Sequence, residues 1–165
     1  MCKRIINLIK ETIYDNTKIH YVDNVNIYDE LHFNQVKVKI KDIRKDPSYY
    51  NWNSICAFSK LSKKFIIEFQ YYVDWYNISK YQNLSEDFIR DFQDKVHWEK
   101  ISKRQKLSEN FIREFQDKVD WVLICYCQKL SKEFIMQFAE KMYFKEIMFN
   151  KKISKEVKDY CRMFL

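Results

Sequence analysis

Residues 75–97 read WYNISKYQNLSEDFIRDFQDKVH and residues 98–120 read WEKISKRQKLSENFIREFQDKVD. A shift of 23 aligns five units without an insertion, beginning at Trp52, Trp75, Trp98, Trp121 and Phe144. The fourth residue of each is Ile55, Ile78, Ile101, Ile124 or Ile147, and the tenth is Leu61, Leu84, Leu107, Leu130 or Ile153. The eleventh is always serine: Ser62, Ser85, Ser108, Ser131 and Ser154. Then come Phe65, Phe88, Phe111, Phe134 and Val157, and four residues later Phe69, Phe92, Phe115, Phe138 and Cys161. A strict period of this size marks stacked supersecondary units, each too small to bury its own apolar face.

Within a unit the spacing is helical. Phe111, Ile112, Phe115 and Val119 fall on one face of a 3.6-residue period. Ser108 is placed to accept a first-turn amide as an N-cap, with Leu107 and Ile112 at the positions of a hydrophobic staple. Asn51, Asp74 and Asp120 can cap the helix that starts at each Trp, and His97 stands at the same boundary as a substituted cap. Each unit is therefore expected to hold a short helix from the Trp, a turn around the ninth residue, and a longer helix after the Ser. With no glycine in the chain, Asn83 or a lysine must take the turn positions, at a cost wherever φ is positive. The expected fold is mainly α: an α-solenoid of five 23-residue two-helix repeats over residues 51–165, with a small N-terminal α+β cap over residues 1–50. In that cap, residues 2–14 carry a helical face, IHYVDNVNIY at 19–28 reads as a strand, and VKVKIK at 36–41 alternates as a half-buried strand.

The phrase ISKxQxLSExFIRxFQDKV, at residues 78–96 and 101–119 and followed two residues on by Trp98 or Trp121, resembles the tandem units of repeat proteins from giant DNA viruses of amoebae, mimivirus-like viruses in particular. The resemblance covers residues 51–165. It implies a viral origin and a helical-repeat fold, and it transfers no catalytic residue.

Composition narrows the function classes. Apolar residues at 47% and charged residues at 32% describe a folded chain, and no segment approaches the ~20 apolar residues of a membrane span. MCKRIINLIKETIYD is too interrupted for a signal-peptide core, so an intracellular protein is expected, in host cytoplasm or virion. Five cysteines at irregular spacing read as free thiols. Cys125-x-Cys127 invites a metal reading, but Cys125 and Cys56 occupy the fifth position of the unit, where Ser79 and Ser102 also stand, and no second ligand pair matches. His20, His32 and His97 are scattered, and without glycine no phosphate-cradling loop can form. No enzyme, cofactor or metal is expected.

Charge is more informative. The turn segments 57–64, 80–87, 103–110, 126–133 and 149–156 together carry +7, the net charge of the whole chain. Stacking would align Lys60, Lys63, Lys103, Arg104, Lys106, Lys129, Lys132, Lys152 and Lys155 along one basic rim. Lys63, Lys132 and Lys155 stand in a first helical turn, where the dipole favours the Glu86 and Glu109 of other units. Opposite charges four apart, Arg90 with Asp94, Asp91 with Lys95, Arg113 with Asp117 and Glu114 with Lys118, describe a solvated face. At the far end Phe144, Phe149, Met163, Phe164 and Leu165 replace a polar pattern and mark an apolar interface. The leading expectation is a non-enzymatic scaffold for a viral or host protein, self-associating as a homodimer through its C-terminal repeat. Nucleic-acid binding along the rim is the second reading, and no membrane contact is expected.

Overall fold

The structure, a computed structural model, describes residues 30–33 and 36–165. The helix expected over residues 2–14 and the strand expected within 19–28 lie outside the described residues, as do His20 and Cys2. The described chain is mainly helical and repeats as a helix pair, an arrangement compatible with a solenoid. It falls into two compact units, Met1–Asn77 and Ile78–Leu165.

All five repeats share one plan. First helices run Trp52–Phe58, Trp75–Tyr81, Trp98–Arg104, Trp121–Cys127 and Phe144–Phe149, and second helices run Lys63–Glu68, Glu86–Asp91, Glu109–Glu114, Lys132–Gln137 and Lys155–Cys161. Each second helix is capped as its sequence predicts: Ser62, Ser85, Ser108, Ser131 and Ser154 accept the amides of Phe65, Phe88, Phe111, Phe134 and Val157. Asn51, Asp74 and Asp120 cap first helices in the same way. His97 does not: no side-chain cap bond forms there, although its amide donates to the Ser79 hydroxyl at 2.9 Å as that of Asp120 does to Ser102.

The second helix is the longer one only in the fifth repeat, at seven residues against six. In the four complete repeats it spans six residues against seven. It stops at the second conserved Phe, where ψ swings to between 26° and 31° at Phe69, Phe92, Phe115 and Phe138. The amides of Lys118 and Val119 both turn back to the Phe115 carbonyl, closing a turn in place of another helical turn. Glycine is not needed at the other end because the chain leaves the first helix extended. Ser59, Gln105, Gln128 and Asn150 all have negative φ and ψ between 114° and 156°.

An aromatic triad fills the core of the first, third and fourth repeats. In the third repeat Trp98, Phe111 and Phe115 lie with ring centroids 4.7–6.3 Å apart, and Trp121, Phe134 and Phe138 repeat the arrangement in the fourth. The indole N–H of each Trp donates to the carbonyl five residues back: Pro47, Gln70, Gln93 and Gln116. This bond ties the turn that ends one repeat to the helix that opens the next.

Upstream of Trp52, Glu30–Phe33 pairs antiparallel with Val36–Lys39. The strand expected over 36–41 thus ends at Lys39, and Ile40 opens a helix, Ile40–Lys45. That helix stands in the register of a second helix. Ile43 is buried 23 residues before Ile66, and Arg44 bonds Glu68 across 24 residues as Arg90 bonds Glu114. The repeat pattern therefore begins one half-unit before the first Trp. At Lys39, where the repeats carry Ser, no side-chain cap forms.

Candidate functional site

The rim expected from the sequence depends on neighbouring repeats sitting in register, and in Ile78–Leu165 two buried polar ladders set that register. Gln105 donates its side-chain amide to the carbonyls of Ser79 and Gln82 at 3.0 and 2.8 Å, and accepts the Leu84 amide at 3.0 Å. One repeat on, Gln128 bonds Ser102, Gln105 and Leu107 in the same way. Asn150 then reaches the carbonyls of Cys125 and Gln128, both at 2.7 Å. It does so one position early in the repeat, with its first helix one residue shorter to match. These amides satisfy carbonyls that a helix C-terminus leaves without intrahelical partners.

The second ladder is at the fifth position. Ser79, Ser102 and Cys125 accept the amides of His97, Asp120 and Tyr143, the Cys125 contact being 3.4 Å. The small residue expected there is thus also an acceptor. Burial pushes the Cys125 thiol up to about 11. Cys125→Ser should therefore keep the bond and shift stability by less than about 1 kcal/mol, measured by urea unfolding.

A clamp between second helices completes the joint. Glu86 accepts both the amide and the hydroxyl of Ser108, and Glu109 does the same for Ser131. These glutamates are more than favourable dipole partners. Where Lys132 replaces them the clamp is gone, and its ammonium lies 4.4 Å from the centre of the Tyr160 ring.

Together these bonds bring the ends of first helices and the starts of second helices to one edge. There the structure places Lys103, Arg104, Lys106, Lys129, Lys152 and Lys155, all exposed, with Lys132 half-buried. Lys60 and Lys63 hold the same repeat positions in Met1–Asn77 and are also exposed. Lys103, Arg104, Lys106, Lys129, Lys152 and Lys155 stand apart from the ion pairs of Ile78–Leu165. Arg90 pairs with Glu114 and Asp87, Lys118 with Asp94, Lys141 with Asp117, and Arg162 with Asp159. Lys100 pairs with Glu99 on a first helix. The pairings expected four residues apart along one helix for Arg90 and Lys118 are replaced by contacts to other partners. The helices end at Asp91 and Glu114, so Asp94 and Lys118 lie in the turns beyond, where they meet across neighbouring repeats.

Of the five apolar residues expected to form an interface, Phe144 and Phe164 stack on each other at 4.9 Å with rings 12° apart. Met163 and Leu165, on the same short turn, are exposed. Phe149 is separated from them by the length of its helix and stands on the rim edge instead, also exposed.

The buried glutamines escaped the sequence reading because a Gln between a helix and a lysine reads as solvent-facing turn. Their recurrence as Gln82, Gln105 and Gln128, beside a ninth position that varies, was the signal. Among the described residues no cluster of three or more His, Cys, Asp or Glu could hold a metal ion. Nor, among them, is any helix long and apolar enough to cross a membrane. Comparisons with protein-family models, curated proteins and solved structures find no match for this chain.

Proposed function

We propose that this chain is a non-enzymatic helical-repeat scaffold that binds protein, and that its specific contact is a second copy seated on the end of the fifth repeat. The observation that carries this reading is Leu165. Its repeat position is filled by Val96, Val119 and Met142 in the preceding repeats, each no more than 8% exposed, whereas Leu165 is 64% exposed. Met163, at 78%, stands beside it where Asp94, Asp117 and Glu140 occupy the second, third and fourth repeats. Two exposed apolar side chains side by side on one short turn make a surface suited to burial against a partner. A twofold contact lets two such ends cover each other. The resemblance of the repeat phrase to units from amoebal giant viruses supports an intracellular viral setting, in host cytoplasm or virion.

Sedimentation at micromolar concentration tests it. The wild type should run as a dimer, and Met163→Lys with Leu165→Lys as a folded monomer. Phe164 is left in place because it stacks on Phe144. A monomeric wild type, or a double variant that remains dimeric, overturns the proposal.

A further inference from the structure

The rim edge of Ile78–Leu165 carries more than lysines. Tyr81 and Tyr126 are each 48% exposed at the ends of their first helices, and Phe149 is 69% exposed in the corresponding place two repeats after Lys103. Lys80 lies 4.5 Å from the centre of the Tyr81 ring. Aromatic faces thus alternate with Lys103, Arg104, Lys106, Lys129, Lys152 and Lys155, none of which takes part in the ion pairs of this unit.

The acids of the same edge are largely committed. Glu86 and Glu109 hold Ser108 and Ser131, and Asp87 pairs with Arg90, leaving Glu133 and Glu156 exposed. Behind the edge, the buried Gln105, Gln128 and Asn150 fix the spacing of successive helix ends, so the surface is a rigid one. An anionic protein surface would call for the cations alone. Cations interleaved with exposed rings fit a polymer that has a phosphate backbone and free base faces, since phosphates take the charges and unpaired bases stack on the rings. A duplex hides those faces.

We propose that this edge binds single-stranded nucleic acid without sequence preference, with Lys103, Lys106, Lys129 and Lys152 on the phosphates and Tyr126 and Phe149 as stacking platforms. The edge and the end of the fifth repeat are separate surfaces, so this proposal does not depend on self-association.

Fluorescence anisotropy of a labelled oligothymidylate, with a duplex and a polyglutamate peptide as comparisons, tests it. The single strand should bind more tightly than the duplex, and polyglutamate should compete poorly. Replacing Lys106, Lys129 and Lys152 with Gln should lower the slope of log affinity against log salt by about two, at ~0.7 per phosphate contact on a single strand. Tyr126→Ala with Phe149→Ala should weaken oligothymidylate binding by roughly tenfold or more while leaving the salt slope unchanged. Circular dichroism melting of each variant, matched to wild type, keeps loss of binding distinct from loss of fold. Absence of saturable binding at low salt, equal affinity for the duplex, effective competition by polyglutamate, or wild-type affinity in the aromatic variant overturns the proposal.

Discussion

Gln128→Ala should cost roughly 3–9 kcal/mol, because it strips partners from three backbone groups at about 1–3 kcal/mol each. The carbonyls of Ser102 and Gln105 lose their donor and the Leu107 amide loses its acceptor, at a site where Gln128 itself is only 1% exposed. Against the 5–15 kcal/mol that is typical of whole domains, such a loss is large. Urea unfolding reads it directly, and a change within experimental error would mean that the ladder is solvated. Gln128→Glu gives the same test a pH dependence. At neutral pH its carboxylate would face two carbonyl oxygens, which raises the folded-state pKa above the unfolded value of about 4.3. Its deficit relative to wild type should therefore be largest at neutral pH and shrink as pH falls through the raised folded-state pKa.

Phe111→Ala should cost about 3–5 kcal/mol, the range for deleting a buried aromatic side chain. Phe111 is fully buried, 4.7 Å from the Phe115 ring and 6.3 Å from Trp98, with the Arg90 guanidinium 5.2 Å from its centre. Phe92, which stands at the position of Phe115 one repeat earlier, is only half-buried, so Phe92→Ala should cost clearly less. Equal losses for the two variants, followed by chemical denaturation, would contradict the packing described here.

Why one part of the fold could be read from the chain and another could not follows from the range of the interactions. Ser108 and Phe111 are three residues apart, so a cap and its amide lie within the sequence window that shows them. The length of the second helix is harder to read. Val119 keeps an i+4 spacing from Phe115 whether the segment is helix or turn, and its amide bonds the Phe115 carbonyl in either case. Apolar periodicity therefore ran past the true stop. The charged pairs were misassigned for a related reason. Along a single helix Arg90 and Asp94 look adjacent, but the helix ends before Asp94, and each finds a partner 24 residues away, Glu114 for Arg90 and Lys118 for Asp94. Of the surfaces, the basic edge was legible because lysines recur at fixed positions. The division of the apolar set was not. Phe149 and Phe144 are five residues apart in sequence but stand at opposite ends of one helix.

The partners that Gln105 and Gln128 seek in the preceding repeat are main-chain carbonyls, and the partners of Ser79 and Ser102 are main-chain amides at the boundary with the following repeat. A joint made this way asks almost nothing of its neighbour's side chains. Tandem duplication or loss of 23 residues would hand each unit a compatible seam on both sides, so length is free to change in whole steps while the outward residues diverge. Selection can then act on what the array displays, one unit at a time, without renegotiating how it is held together.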